Sequence, residues 1–189
     1  VSPDGARLAS VSFKSVKLWN YPAGTSHELN GHTDWVVGCA FSPNSKLLAT
    51  ASFDTTVRVW RVADGTTVKS FTCSSQMRAV GFSPDGSLLA YAGDDGIVTL
   101  RRTSDWSLAG ELTGHANGIT TLAFSPDVSR LASGGYDQTL KIWDVNSRTL
   151  EHSVGDNNGT VYSVAFNSSG SLLAYTDGEG NTIRLVQPS

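Results

Sequence analysis

His115, Ser133 and Asp137 are the residue types of an activated nucleophile, in which a carboxylate orients an imidazole and the imidazole takes the proton of a hydroxyl. The chemistry would be acyl transfer. The same types recur at His32, Thr50 and Asp54, with the histidine again eighteen positions before the hydroxyl and the aspartate four after it. In both places a tryptophan, Trp143 or Trp60, follows ten positions beyond the hydroxyl. A catalytic role depends on geometry rather than residue identity, and a nucleophile carried twice at one spacing reads as a repeated structural device.

Two other sets of residues bear on chemistry. Asp94 with Asp95, and Asp177 with Glu179, are paired acids of the kind that serve acid/base work or hold a hard cation. Gly96, Gly178 and Gly180 beside them mark turns, where aspartate is an ordinary residue, so solvated turn acids are the favoured reading. A basic residue stands near the end of four strand-like runs, at Lys17, Arg58, Lys141 and Arg184. A net charge of −3 and the dispersal of these residues among separate repeats argue against a nucleic-acid surface, and long stems covering apolar neighbours are expected instead. Cys39 and Cys73 occupy non-equivalent positions with no metal-ligand spacing, which favours a reducing, cytoplasmic setting. No metal or cofactor is implied. No apolar run approaches the roughly 18 residues of a membrane span, and the chain opens inside a repeat rather than with a signal peptide. The triplets Asn158-Gly159-Thr160 and Asn167-Ser168-Ser169 match the glycosylation acceptor pattern, but Asn167 fills a turn position held by serine elsewhere.

The elements that must position these residues come from the period. Pro3, Pro43, Pro84 and Pro126 stand 40, 41 and 42 residues apart in variants of Phe-Ser-Pro-Asp-Gly, and Ser168 follows 42 further on. A fixed period of about 40 to 45 residues means one supersecondary unit copied many times. Around each hydroxyl the chain reads as a hairpin: Leu131–Ser133 and Thr139–Trp143 flank a turn with Gly134, Gly135 and Asp137, as in the copy at 48–61. The repeats span about 1–29, 30–71, 72–112, 113–154 and 155–189, the outer two incomplete, with three, four, four, four and three strands. First strands such as VVGCAF and ITTLAF are apolar and small, and the fourth strands are expected to be shorter and more polar.

Gly-His, Phe-Ser-Pro-Asp-Gly, Leu-Ala-Ser, Asp and Ile-Trp-Asp at these spacings resemble the WD-repeat (WD40) family of β-propellers along the whole chain. The resemblance implies an all-β fold of four-stranded antiparallel blades, here an open arc of about five repeats or part of a seven-bladed ring, which would need roughly 290 residues. It also implies that Trp, Ser/Thr, His and Asp form a structural hydrogen-bond network inside a blade. The third copy has Cys73, Tyr91 and Arg101 at the matching sites and keeps only Asp95, so no network is expected around Cys73. Copy five has Asn157, Tyr175 and Val186 there, and copy one keeps Ser10 and Trp19, with Lys14 near the Asp position.

In the family, partners often dock on the face carrying the fourth-to-first and second-to-third strand loops. Carried over, the contact positions are Trp35, Val37 and Phe53 in copy two, Gln76, Arg78 and Asp94 in copy three, Gly118, Thr120 and Tyr136 in copy four, and Thr160 and Tyr162 in copy five, with Phe13 in copy one. Aromatic residues and arginine are enriched among binding hot spots. The expected function is a non-enzymatic scaffold that binds a protein or peptide partner and neither nucleic acid nor membrane, its ring completed by further blades from a parent chain or another copy. Alternatives are a propeller hydrolase using the loop acids, and a structural or regulatory module of a larger protein.

Overall fold

The computed structural model describes residues 1–155, 159–178 and 182–188, with the side chain of Asp177 left out. Asn157, Asn158, Glu179 and Gly180, which figure in the sequence expectations, lie outside the described residues, as does the Asp177 side chain. Five antiparallel sheets follow one another along the chain. The first holds β1 (Arg7–Val11), β2 (Val16–Asn20) and β3 (Ser26–Glu28). The second holds β4 (Val36–Phe41), β5 (Leu47–Ser52), β6 (Thr56–Arg61) and β7 (Thr67–Thr72). The third holds β8 (Met77–Phe82), β9 (Leu88–Gly93), β10 (Ile97–Arg102) and β11 (Leu108–Thr113). The fourth holds β12 (Ile119–Phe124), β13 (Arg130–Gly135), β14 (Leu140–Asp144) and β15 (Thr149–Val154). The fifth holds β16 (Val164–Phe166), β17 (Leu173–Asp177) and β18 (Thr182–Val186). Neighbours in each sheet are consecutive in sequence, and no pairing joins the first sheet to the fifth among the described residues, so the blades form an arc and not a closed ring.

The repeated turn has a local cause. Ser2, Ser42, Ser83 and Ser125 each accept, at Oγ, the backbone N–H five residues on, at 2.8 to 2.9 Å. Each donates its own proton to Asp4, Asn44, Asp85 or Asp127 at 2.6 to 2.8 Å, and that side chain accepts the N–H two residues further along. The turn then needs a left-handed residue, supplied by Gly5 (φ 70°) and Gly86 (φ 74°), whose lack of a Cβ makes the conformation costless. Asn167 takes the serine's place in the fifth blade, its Oδ1 accepting the Leu172 N–H at 3.0 Å, which gives this residue a turn role.

Core packing lies between blades, one face of each sheet against the opposite face of the next. Val16 and Leu18 meet Leu48 and Trp60; Val57 and Val59 meet Leu89 and Tyr91; Val98 and Leu100 meet Leu131 and Trp143; Leu140 and Ile142 meet Val164 and Leu173. The alternation of side chains along a strand sends successive residues to the two neighbours. The second strands β5, β9 and β13 are the most buried, whereas β4, β8 and β12 are largely half-buried.

One expectation is corrected here. The fourth strands β7, β11 and β15 are six residues long, the same as the first strands, because their ladder is built from backbone groups and does not depend on burying side chains. They are indeed the more exposed. The last blade's first strand is only three residues long, Val164–Phe166, because the segment before it turns to the fourth blade: the Val161 N–H bonds the Gly135 carbonyl at 3.3 Å, and its side chain enters the core between those blades.

Candidate functional site: blade networks and the loop face

The two repeated sets come together as chains of hydrogen bonds. In the second blade the Trp60 indole N–H donates to Thr50 Oγ1 at 2.9 Å, Thr50 Oγ1 lies 2.8 Å from His32 Nε2, and His32 Nδ1 lies 2.7 Å from Asp54 Oδ2. In the fourth, Trp143 donates to Ser133 Oγ, Ser133 Oγ meets His115 Nε2, and His115 Nδ1 meets Asp137 Oδ2, each at 2.8 Å. The aspartates accept further bonds from the backbone N–H groups of Thr33 and Ala116 and from both the N–H and the hydroxyl of Thr56 and Thr139.

One tautomer satisfies every member. With the imidazole neutral, Nδ1–H donates to the carboxylate and Nε2 accepts the hydroxyl proton, so the oxygen is left free to accept the indole N–H. Burial holds His32 below its ordinary 6.5, against the hydrogen bond and charge of Asp54, and Arg58 pushes in the same direction as burial. His115 is lowered likewise, by burial first and by Lys141. Burial alone would raise Asp54, but the bonds from Thr56, Thr33 and His32 bring it down to about 2. Asp137 is lowered in the same way by Ala116, Thr139 and His115. Thr50 and Ser133 have no exposed surface, so neither hydroxyl can meet a carbonyl carbon from solvent. These sets stitch each blade together.

Elsewhere the network changes form. In the first blade Trp19 still donates to Ser10 Oγ at 2.9 Å. In the third blade the expected lack of any network is corrected: Arg101 Nε donates to the Tyr91 hydroxyl at 3.2 Å while its guanidinium lies 5.0 Å from the Phe71 ring. Tyrosine and arginine, both long, span the gap that histidine and tryptophan fill in the neighbours. The basic stems behave as expected for two copies, with Lys141 buried and donating to Ser153 at 3.1 Å and Arg58 lying 5.9 Å from the Trp60 ring. The loop acids Asp94 and Asp95 do not converge: Asp94 forms an ion pair with Arg78, and Asp95 accepts from Ser74 at 2.9 Å and the Ile97 N–H at 3.2 Å.

The loop face carries the second group of residues. Register shifts in the first strands fall between Val36 and Gly38, Met77 and Ala79, and Ile119 and Thr121. Val37, Arg78 and Thr120 are therefore the extra residues of three β-bulges, and a bulge re-aims its side chain out of the regular alternation. The sequence signal for such a bulge is weak, since the bulge residue is Val, Arg or Thr in the three strands and shares no common type. Arg78 reaches between two blades, its guanidinium 4.7 Å from the Phe53 ring and 5.0 Å from the Tyr136 ring, with Asp94 closing the ion pair. Trp35 packs its ring 5.5 Å from that of Phe13, and the two strand ends bridge. Trp35 is 51 % exposed, Phe13 50 % and Tyr162 60 %, and Val37 is also exposed. Phe53, Tyr136, Gln76 and Thr160 are half-buried, and Gly118 is buried. Thr120 spends its hydroxyl on the Gly134 and Val161 carbonyls, tying the fourth blade to the fifth.

Radially successive antiparallel blades, packed face to face with a core at each of the four junctions, define a β-propeller segment. The WD domain, G-beta repeat family matches residues 24–61, 65–100, 106–144 and 147–186. Each match begins at the outer strand of one blade and ends with the third strand of the next, so every sequence repeat ties two blades. The chain belongs to the WD-repeat family. Relatives include MST50-interacting protein 11 of Pyricularia oryzae, 36 % identical over 93 % of this chain and 59 % of that protein. Periodic tryptophan protein 2 of Arabidopsis thaliana is 29 % identical over 95 % of this chain and 20 % of its own length. Apoptotic protease-activating factor 1 of Homo sapiens is 32 % identical over 90 % and 14 %. This chain thus spans between 14 % and 59 % of these relatives. WD40 domains serve in general as protein-interaction scaffolds.

Proposed function

We propose that the chain is a non-enzymatic platform on which a protein or peptide partner docks against the loop face. The observation that carries this reading is the run of large side chains there: the Phe13–Trp35 pair, the Phe53–Arg78–Tyr136 stack and the exposed Tyr162. The stack spans three blades, so its rings are held by separate rigid sheets and lose little freedom on binding. Aromatic and arginine anchors of this kind supply most of the energy in protein interfaces. The outer faces of the first and fifth sheets, which no other sheet covers among the described residues, are where further blades, from the same chain or another copy, would pack to continue the arc. Two free cysteines fit a reducing, cytoplasmic setting.

Affinity capture with the full-length protein tests the docking face. Trp35→Ala and Tyr136→Ala should each lower the yield of specific partners by about tenfold or more, as hot-spot truncations do, while the melting curve stays near that of the parent. Partner yields unchanged in both variants would remove the loop face from consideration.

A further inference from the structure

The opposite end of the arc carries the first-to-second strand turns, and adjacent blades leave clefts there. The cleft between the first and second blades, about 580 Å³, is lined by Arg7, Lys46 and Arg61, with Asp4 as its one acid. The equivalent cleft between the third and fourth blades, about 530 Å³, has the reverse balance, with Asp85 and Asp127 against Arg102 alone. Its arginine is also committed, donating to Ser107 Oγ at 3.3 Å and the Leu108 carbonyl at 3.1 Å.

Two of the three cations of the first cleft are without a hydrogen-bond or ion-pair partner among the described residues. Arg7 Nε is buried with no hydrogen-bond partner, and neither Arg7 nor Lys46 forms an ion pair among the described residues. Arg61 Nη1 donates to Asp64 Oδ2 at 3.2 Å and to Thr66 Oγ1 at 3.0 Å, both exposed contacts of the kind that hold weakly in water and leave its other guanidinium nitrogens for an anion. The carboxylate of Asp4 is already occupied by the Ser2 hydroxyl and the Ala6 N–H. The terminal nitrogens of the half-buried Arg7 guanidinium also have no hydrogen-bond partner among the described residues, and an incoming carboxylate would give them charge-assisted bonds. Leu47 and Val62 give the same cleft an apolar wall.

We propose that this cleft takes an acidic segment of a partner protein, with a carboxylate seated among Arg7, Lys46 and Arg61 and an adjacent aliphatic side chain against Leu47 and Val62. The site is separate from the loop face and stands or falls apart from it. Fluorescence anisotropy with the full-length protein tests it, using a labelled ten-residue peptide of alternating leucine and glutamate, its glutamine counterpart, and inorganic phosphate as competitor. The glutamate peptide should bind and weaken as salt rises, and the glutamine peptide should bind at least about tenfold more weakly. Lys46→Gln combined with Arg61→Gln should lower the affinity for the glutamate peptide by about tenfold or more, with an unchanged melting curve, while Arg102→Gln in the other cleft should leave it unaltered. Equal binding of the two peptides, or indifference to the Lys46 and Arg61 changes, would overturn the proposal. Displacement by phosphate at concentrations below those of unlabelled glutamate peptide would also overturn it, in favour of a phosphorylated ligand.

Discussion

Replacing Thr50 by valine isolates what the blade network contributes, because the side chain keeps its shape and loses only the hydroxyl. Thr50 has no exposed surface, and its Oγ1 is the middle link, accepting the Trp60 indole N–H at 2.9 Å and meeting His32 Nε2 at 2.8 Å. Without it a buried donor and a buried acceptor are both stranded. Each unsatisfied group costs about 1 to 3 kcal/mol, and the added methyl group returns about 0.8 kcal/mol of burial. The net loss should be about 1 to 5 kcal/mol, from the two stranded groups less the methyl gain. Thr50→Ser retains the hydroxyl and loses one methyl, as at the equivalent Ser133, so it should cost no more than about 1.5 kcal/mol. Urea denaturation followed by tryptophan fluorescence measures both, with stability changes read from shifts in midpoint at constant slope. If Thr50→Val proves no less stable than Thr50→Ser, the network does not stabilise the blade in the manner described.

Further expectations follow from the same geometry. His115→Ala strands Ser133 and takes one of the four bonds from Asp137, which should cost about 1 to 3 kcal/mol. Cys73→Ala should cost less, since its sulfur has no hydrogen-bond partner among the described residues; equal losses in urea melts would count against the distinction. For pH, His32 and His115 are depressed below 6.5 in the folded state, so as pH falls through 6.5 the unfolded chain takes up protons first and stability declines. Asp54, at about 2 against an ordinary 3.8, adds a second loss between those values. Urea midpoints at pH 7, 6 and 5 should fall steadily, and a flat series would refute the neutral-histidine assignment.

The sequence by itself determined the blades and their internal chemistry. A period of 40 to 42 residues places each turn, and the turn is local: one serine hydroxyl and one acid satisfy backbone groups within five residues. His32, Thr50, Asp54 and Trp60 are legible because three of them sit within one hairpin and His32 in the loop before the first strand of the same sheet, which brings them together in fixed register. Relations between sheets were decided only by the tertiary structure. Nothing local announces that Arg78 lies between Phe53 and Tyr136, because those three residues belong to different blades and meet through a bulge that the residue pattern of one strand does not reveal. The Tyr91–Arg101 pair escaped notice since a motif shows which residues are missing and not what long side chains do with the space. The basic cleft arises in the same way, from Arg7 in one blade facing Lys46 and Arg61 in the next. Backbone hydrogen bonding and turn chemistry act over a few residues and are written in order along the chain, whereas packing between blades depends on side chains some forty residues apart, whose meeting is set by the twist and stacking of whole sheets.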